Sequence, residues 1–150
     1  MRVLFLDVDG VLNRIGFHPG TSVGLRSWIE PELAKRLSDV LRVTRAEIVL
    51  ASDWRRAREL PHLRDELRAA GVDGSLIGVT PILDGQARWR EIEAWMTEHD
   101  VGLDAIAIVD DGYDMGTLAA RFVRASPLHG LDGEVARAIV ALFERDEVER

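Results

Sequence analysis

Hydrophobic positions in this chain occur in two patterns that alternate: short unbroken apolar runs, and stripes at helical spacing. The run Val3–Leu6 predicts a buried strand, since a short apolar run that stops at a turn signal suits the core of a parallel sheet. Further strands are predicted over residues 47–51 (EIVLA), Leu76–Val79, 105–109 (AIAIV) and Phe122–Arg124. Between them, Pro31 followed by Leu33, Leu37, Val40 and Leu41 marks an amphipathic helix with proline in its opening turn. Residues 56–70 predict a second helix, stopped by Gly71. Ile92, Trp95, Met96 and His99 share one face of a third, over Arg88–His99, and a short helix is expected over 114–120. The last helix starts near Asp132 and carries Val135, Ile139, Leu142 and Phe143 as its stripe. Strands alternating with helices predict a mainly parallel sheet covered on both faces, a three-layer α/β/α sandwich. No repeat, low-complexity segment or linker interrupts the pattern, so residues 1–150 read as a single domain with enough chain to bury a core.

Parallel sheets bind ligands at the carboxyl ends of their strands, which makes the polar residues following each run informative. In order they are Asp7 and Asp9, Ser52 and Asp53, Arg88, then Asp110 and Asp111. Along an extended chain, alternation would send Asp7 and Asp9 to the same side. Carboxylates that close repel unless a proton or cation intervenes, and oxygen ligands favour Mg²⁺. Each end also has a plain structural reading: a solvated turn at Asp7–Asp9, a helix cap at Ser52, a helix-start charge at Arg88, a loop turning at Gly112. Those readings must account for the ends one by one, whereas phosphoryl transfer accounts for them together. Asp7 supplies a nucleophile, and Asp9 a group that protonates a leaving oxygen and later activates water. Asp110 with Asp7 can hold Mg²⁺, while Ser52 and Arg88 offer a hydroxyl and a cationic fork to phosphate oxygens.

The order DVDGV, strand-then-Ser, Arg, VDDG resembles the four motifs of the haloacid dehalogenase-like (HAD) superfamily. The strings FLDVDGVLN, IVLASDWR, TPILDG followed by an arginine and EIEAW, and IVDDGYDM resemble in particular the small HAD domain of Swiss army knife RNA repair proteins and their stand-alone bacterial relatives. The resemblance spans residues 3–131 and implies a Rossmann-like fold. It implies Asp7 as nucleophile and Asp9 as general acid/base, with the Asp9 backbone carbonyl also touching the metal. Ser52 and Arg88 would bind phosphate, and Asp110 would ligate Mg²⁺, with Asp111 helping directly or through water. Two departures stand out. Relatives often carry paired hydroxyl residues where this chain has Ala51 and Ser52, and Arg88 replaces the commoner lysine, with Arg90 two residues away. The spacing to Glu91 and Ile92 favours Arg88.

Selectivity in that superfamily usually comes from an inserted cap. Residues 10–30 allow a flap but no cap domain, and residues 78–87 are shorter still. An open site suits a large phosphorylated substrate such as a nucleic-acid end or a protein, or a cover supplied by a partner protein or self-association. Asn13, Arg14, His18, Trp28, Trp54 and Arg55 are the rim candidates, Trp54 and Arg55 as a base-stacking or phosphate-clamping pair, with core packing as the alternative for Trp28 and Trp54.

Composition narrows the reading further. With 47% hydrophobic and 30% charged residues the chain has the profile of an ordinary globular protein, and no run reaches membrane-span length. The first residues lack a signal-peptide layout, and the absence of cysteine removes disulfides, thiol catalysis and Cys-based zinc sites and fits the cytoplasm. A net charge of −7 argues against a broad nucleic-acid surface. The expectation is a Mg²⁺-dependent phosphatase working through an aspartyl-phosphate. The alternatives are a small-metabolite phosphatase, a receiver-like signalling domain, which the Asp-x-Asp order disfavours, and a non-catalytic phospho-binding module.

Overall fold

A computed structural model describes residues 1–15 and 29–149; most of the flap expected within 10–30, with His18 and Trp28, lies outside the described residues. Five parallel strands form the sheet, in the order β3-β2-β1-β4-β5. They are β1 (Val3–Leu6), β2 (Glu47–Leu50), β3 (Leu76–Val79), β4 (Ile106–Asp110) and β5 (Phe122–Arg124). Among the described residues, four α-helices flank them: α1 (Pro31–Thr44), α2 (Leu60–Ala69), α3 (Arg88–His99) and α4 (Gly133–Glu149). The strand period of two sorts the core into two layers. Leu4, Leu6, Ile48, Leu50, Ala107 and Val109 face α1, α2 and α4. Val3, Phe5, Val49, Ile106 and Ile108 face α3, where Trp95 meets Phe5 edge-on at 5.5 Å between ring centres. The expected α/β/α sandwich is what forms.

In-register pairing of Leu6 with Leu50 and with Val109 ends β1 and β2 at one level, with β4 one residue longer, which gathers Asp7 and the residues that follow β2 beside Asp110 at one edge. Two elements depart from the expected pattern. The helix expected over 56–70 is a 3₁₀ turn (Asp53–Arg56) followed by α2, which has Pro61 in its first turn. A proline lacks the amide that an interior position must donate, so a helix running through 61 would break there. The helix expected over 114–120 is a 3₁₀ segment, Gly116–Arg121. Gly116 sits at φ 49°, a left-handed conformation that no continuing α-helix contains, and a Cβ there would strike Trp89.

Candidate active site

Asp7 is the first residue past β1, and its amide still bonds to the Val109 carbonyl at 3.1 Å. By parity it continues the Val3–Phe5 side of the sheet, and Asp110, the last residue of β4, continues the Ile106–Ile108 side, so both point to the α3 face. With Asp111 they form a cluster in which one carboxylate oxygen from each lies within 4.8 Å of the others. Backbone amides orient it: Val8 N donates to Asp7 Oδ1 at 2.9 Å, and Gly112 N to Asp110 Oδ1 at 2.8 Å. Gly10 makes room for it. At φ 81° it takes a turn that side chains resist, and a Cβ there would collide with the Asp111 carboxylate.

The cluster's charge is poorly tolerated. Burial, then the neighbouring Asp110 carboxylate, push the Asp7 carboxyl up to about 8 from its ordinary 3.8, against the pull of Arg88. Burial also raises Asp110, with the Gly112 amide and Arg88 pulling the other way. Hard oxygen donors converging under mutual repulsion fit a divalent cation of the Mg²⁺ type, with Asp7, Asp110 and Asp111 to hold it.

Arg88, at the start of α3, supplies positive charge beside the cluster. Its Nη1 lies 3.2 Å from Asp110 Oδ2 and 3.6 Å from Asp7 Oδ1, and also donates to the Ala51 carbonyl. Asp53 at 3.5 Å and Glu91 at 3.9 Å flank the rest of the guanidinium. Arg90 lies outside the cluster, over the Trp89 ring and near Glu93.

Asp9 does not join the three carboxylates, as simple alternation would have it. The chain leaves the extended state at Val8, whose carbonyl accepts the amides of both Val11 and Leu12, and this turn carries Asp9 towards β2. There Asp9 Oδ1 accepts from Asn13 Nδ2 at 3.0 Å and from Trp54 Nε1 at 3.1 Å. Ser52 is fully buried, and its Oγ accepts the Trp54 amide at 3.2 Å, capping the 3₁₀ turn. The structure thus displays the capping role; the hydroxyl proton is what Ser52 has left to give a phosphate.

Three rim candidates turn out to face inward. Asn13 and Trp54 are buried against Asp9. Arg55 is buried too: its guanidinium pairs with Glu91 at 2.8 Å and donates to the carbonyls of Ser52 and Thr80. Its position one residue before the end of the 3₁₀ turn points it under the loop after β3 and away from the phosphate-clamping place expected of it. Arg14 is committed to Glu30, with Nη2 to Oε1 at 2.6 Å and its backbone amide to Oε2 at 2.8 Å, a clasp that joins the two ends of the segment 16–28. Sequence reasoning overlooked Glu91, which reads as an ordinary first-turn acid, and Tyr113. The latter stands exposed just past Asp111 with the Arg124 guanidinium 3.8 Å over its ring.

The profile of the family described as "HAD domain in Swiss Army Knife RNA repair proteins" matches residues 3–136. No curated protein matches the chain.

Proposed function

The chain belongs to that family of HAD domains and is a HAD-type hydrolase, and on this premise we propose that it is a Mg²⁺-dependent phosphomonoesterase that works through an aspartyl-phosphate on Asp7. One observation carries the reading: three carboxylates and a guanidinium converge at the carboxyl edge of the sheet. Acid alone would make a cation site, and a cation beside acid alone an ion pair. Together they offer a nucleophile and a pole for anionic oxygens.

In this mechanism the Asp7 carboxylate attacks phosphorus while Arg88 turns its N–H groups from Asp7 and Asp110 to the non-bridging oxygens. Ser52 adds its hydroxyl proton. Asp9 protonates the departing oxygen, then takes a proton from the water that hydrolyses the Asp7 ester. Mg²⁺ on Asp7, Asp110 and Asp111, with the Asp9 backbone carbonyl as a further ligand, would neutralise charge between the nucleophile and its anionic target. A large phosphorylated substrate such as a nucleic-acid end fits best. The connection from β3 to α3 is short, residues 80–87, and the matched family takes its name from RNA repair proteins. A partner protein or a second copy would then be the natural cover for the open side.

Hydrolysis of an aryl phosphate tests the proposal. Activity that needs Mg²⁺, vanishes with chelator and falls at least about 10³-fold in Asp7→Asn is the expected result. Unchanged turnover by Asp7→Asn would overturn the mechanism.

A further inference from the structure

We infer that Trp54 and Asn13 are positioning residues for Asp9, holding its Oδ1 so that Oδ2 is the atom that gives and takes the proton. The inference rests on the phosphohydrolase reading and deepens it. Oδ1 receives two N–H donors, the Trp54 indole at 3.1 Å and the Asn13 amide at 3.0 Å. An oxygen that accepts two such donors is badly placed to carry a proton itself, which assigns the transferable proton to the other oxygen.

Both donors are themselves tied down. Asn13 Oδ1 accepts the Gly10 amide at 2.9 Å, so its amide group is locked to the turn that follows Asp7. Trp54 is 4% exposed, which closes its faces to a stacking base. The Ser52 hydroxyl holds its amide, and the Arg58 guanidinium lies 4.4 Å over its ring while bonding to its carbonyl at 3.3 Å. Phenylalanine or leucine would fill this space as a hydrophobe; the indole differs in carrying an obligate donor, and that donor is spent on Asp9.

The proton balance is simple. As the Asp7 oxygen–phosphorus bond forms, the bond from phosphorus to the leaving oxygen breaks; that oxygen keeps the electron pair and takes the proton from Asp9 Oδ2. Water then adds to phosphorus, Oδ2 recovers a proton from it, and the Asp7 carboxylate departs, leaving inorganic phosphate.

Trp54→Phe tests the assignment through the leaving group. A residue that acts through the general acid matters most where the departing oxygen is strongly basic. We expect kcat/KM to fall about 10²-fold for alkyl phosphates and only severalfold for dinitrophenyl phosphate, whose leaving group departs without a proton. An equal fall across the series, or none, would show Trp54 to be a packing residue. Asn13→Ala should steepen the same dependence, which keeps the test open if Trp54→Phe folds poorly. A second readout needs no turnover: the indole N–H resonance of Trp54, identified by its loss in Trp54→Phe, should shift in Asp9→Ala. An unmoved resonance would overturn the hydrogen bond, whereas a shifted resonance in a protein that hydrolyses no ester in the series would preserve the contact and overturn the phosphohydrolase reading instead.

Discussion

Asp7 carries two demands that conflict in a protein without a counter-ion. As the proposed nucleophile it must be ionised to attack, yet it is buried beside Asp110 and Asp111. Its carboxyl is raised from 3.8 to about 8, so the folded chain binds that proton more tightly than the unfolded chain does. In the metal-free protein the stability that Asp7 contributes is therefore fully present below the unfolded value and is lost as pH rises from there through about 8. A cation competes with the proton for the same oxygens. Mg²⁺ at about 100 times its dissociation constant should raise Tm by about 5–10 °C at pH 8 and by far less at pH 5, read by calorimetry in Mg²⁺ against chelator. Equal shifts at both pH values would mean that the ion binds somewhere other than on Asp7.

Among the elements, α3 has the hardest task, because Arg88 stands at its N-terminus, where the helix dipole disfavours a cation by about 0.3–1 kcal/mol. The acids around it offset that cost, and one of them is shared. Glu91 Oε1 lies 3.9 Å from Arg88 and 2.8 Å from Arg55, while its Oε2 accepts the Leu83 amide at 2.8 Å. A single carboxylate thus ties together the 3₁₀ turn after β2, the loop after β3 and the first turn of α3. Arg55 and Glu91 are buried together, so removal of either leaves a charge without its partner. Glu91→Ala should cost about 3–5 kcal/mol in denaturant unfolding, and phosphate affinity should weaken with it as Arg88 loses its support. A loss below about 1 kcal/mol would contradict the pairing. Neither role shows in the local pattern, since Arg55 and Glu91 lie thirty-six positions apart, the first reading as a rim residue and the second as a first-turn surface acid.

On the scale of the whole molecule, acidic charge and an edge-on site limit how a polymer could bind. The net charge is −7, and the arginines near the site are largely spent on internal acids: Arg55 on Glu91, Arg14 on Glu30, Arg88 on Asp7, Asp110 and Asp53. A phosphorylated oligonucleotide would be gripped at its terminal phosphate and little beyond. The logarithm of kcat/KM for such a substrate should fall against the logarithm of salt concentration with a slope of about one to two. A slope near five or more would require a basic track, which a net charge of −7 argues against. No helix among the described residues is long and apolar enough to cross a membrane.

The sequence by itself determined the layered fold and the end of the sheet where chemistry can occur. Both follow from short-range periodicity: apolar runs such as Val3–Leu6 must be buried on both faces, and the acids directly after such runs must emerge where the strands stop. Local patterns failed where a single residue overrode them, at Pro61 and Gly116. Only the tertiary structure decided which polar side chains meet. The turn at Val8 moved Asp9 away from Asp7 and onto Trp54 and Asn13, while packing of α3 brought into the cluster the arginine that the spacing already favoured, Arg88, and left Arg90 outside. Such pairings depend on register and on side-chain direction across segments distant in the chain. Periodicity specifies which face a residue occupies, and contact across elements specifies its partner.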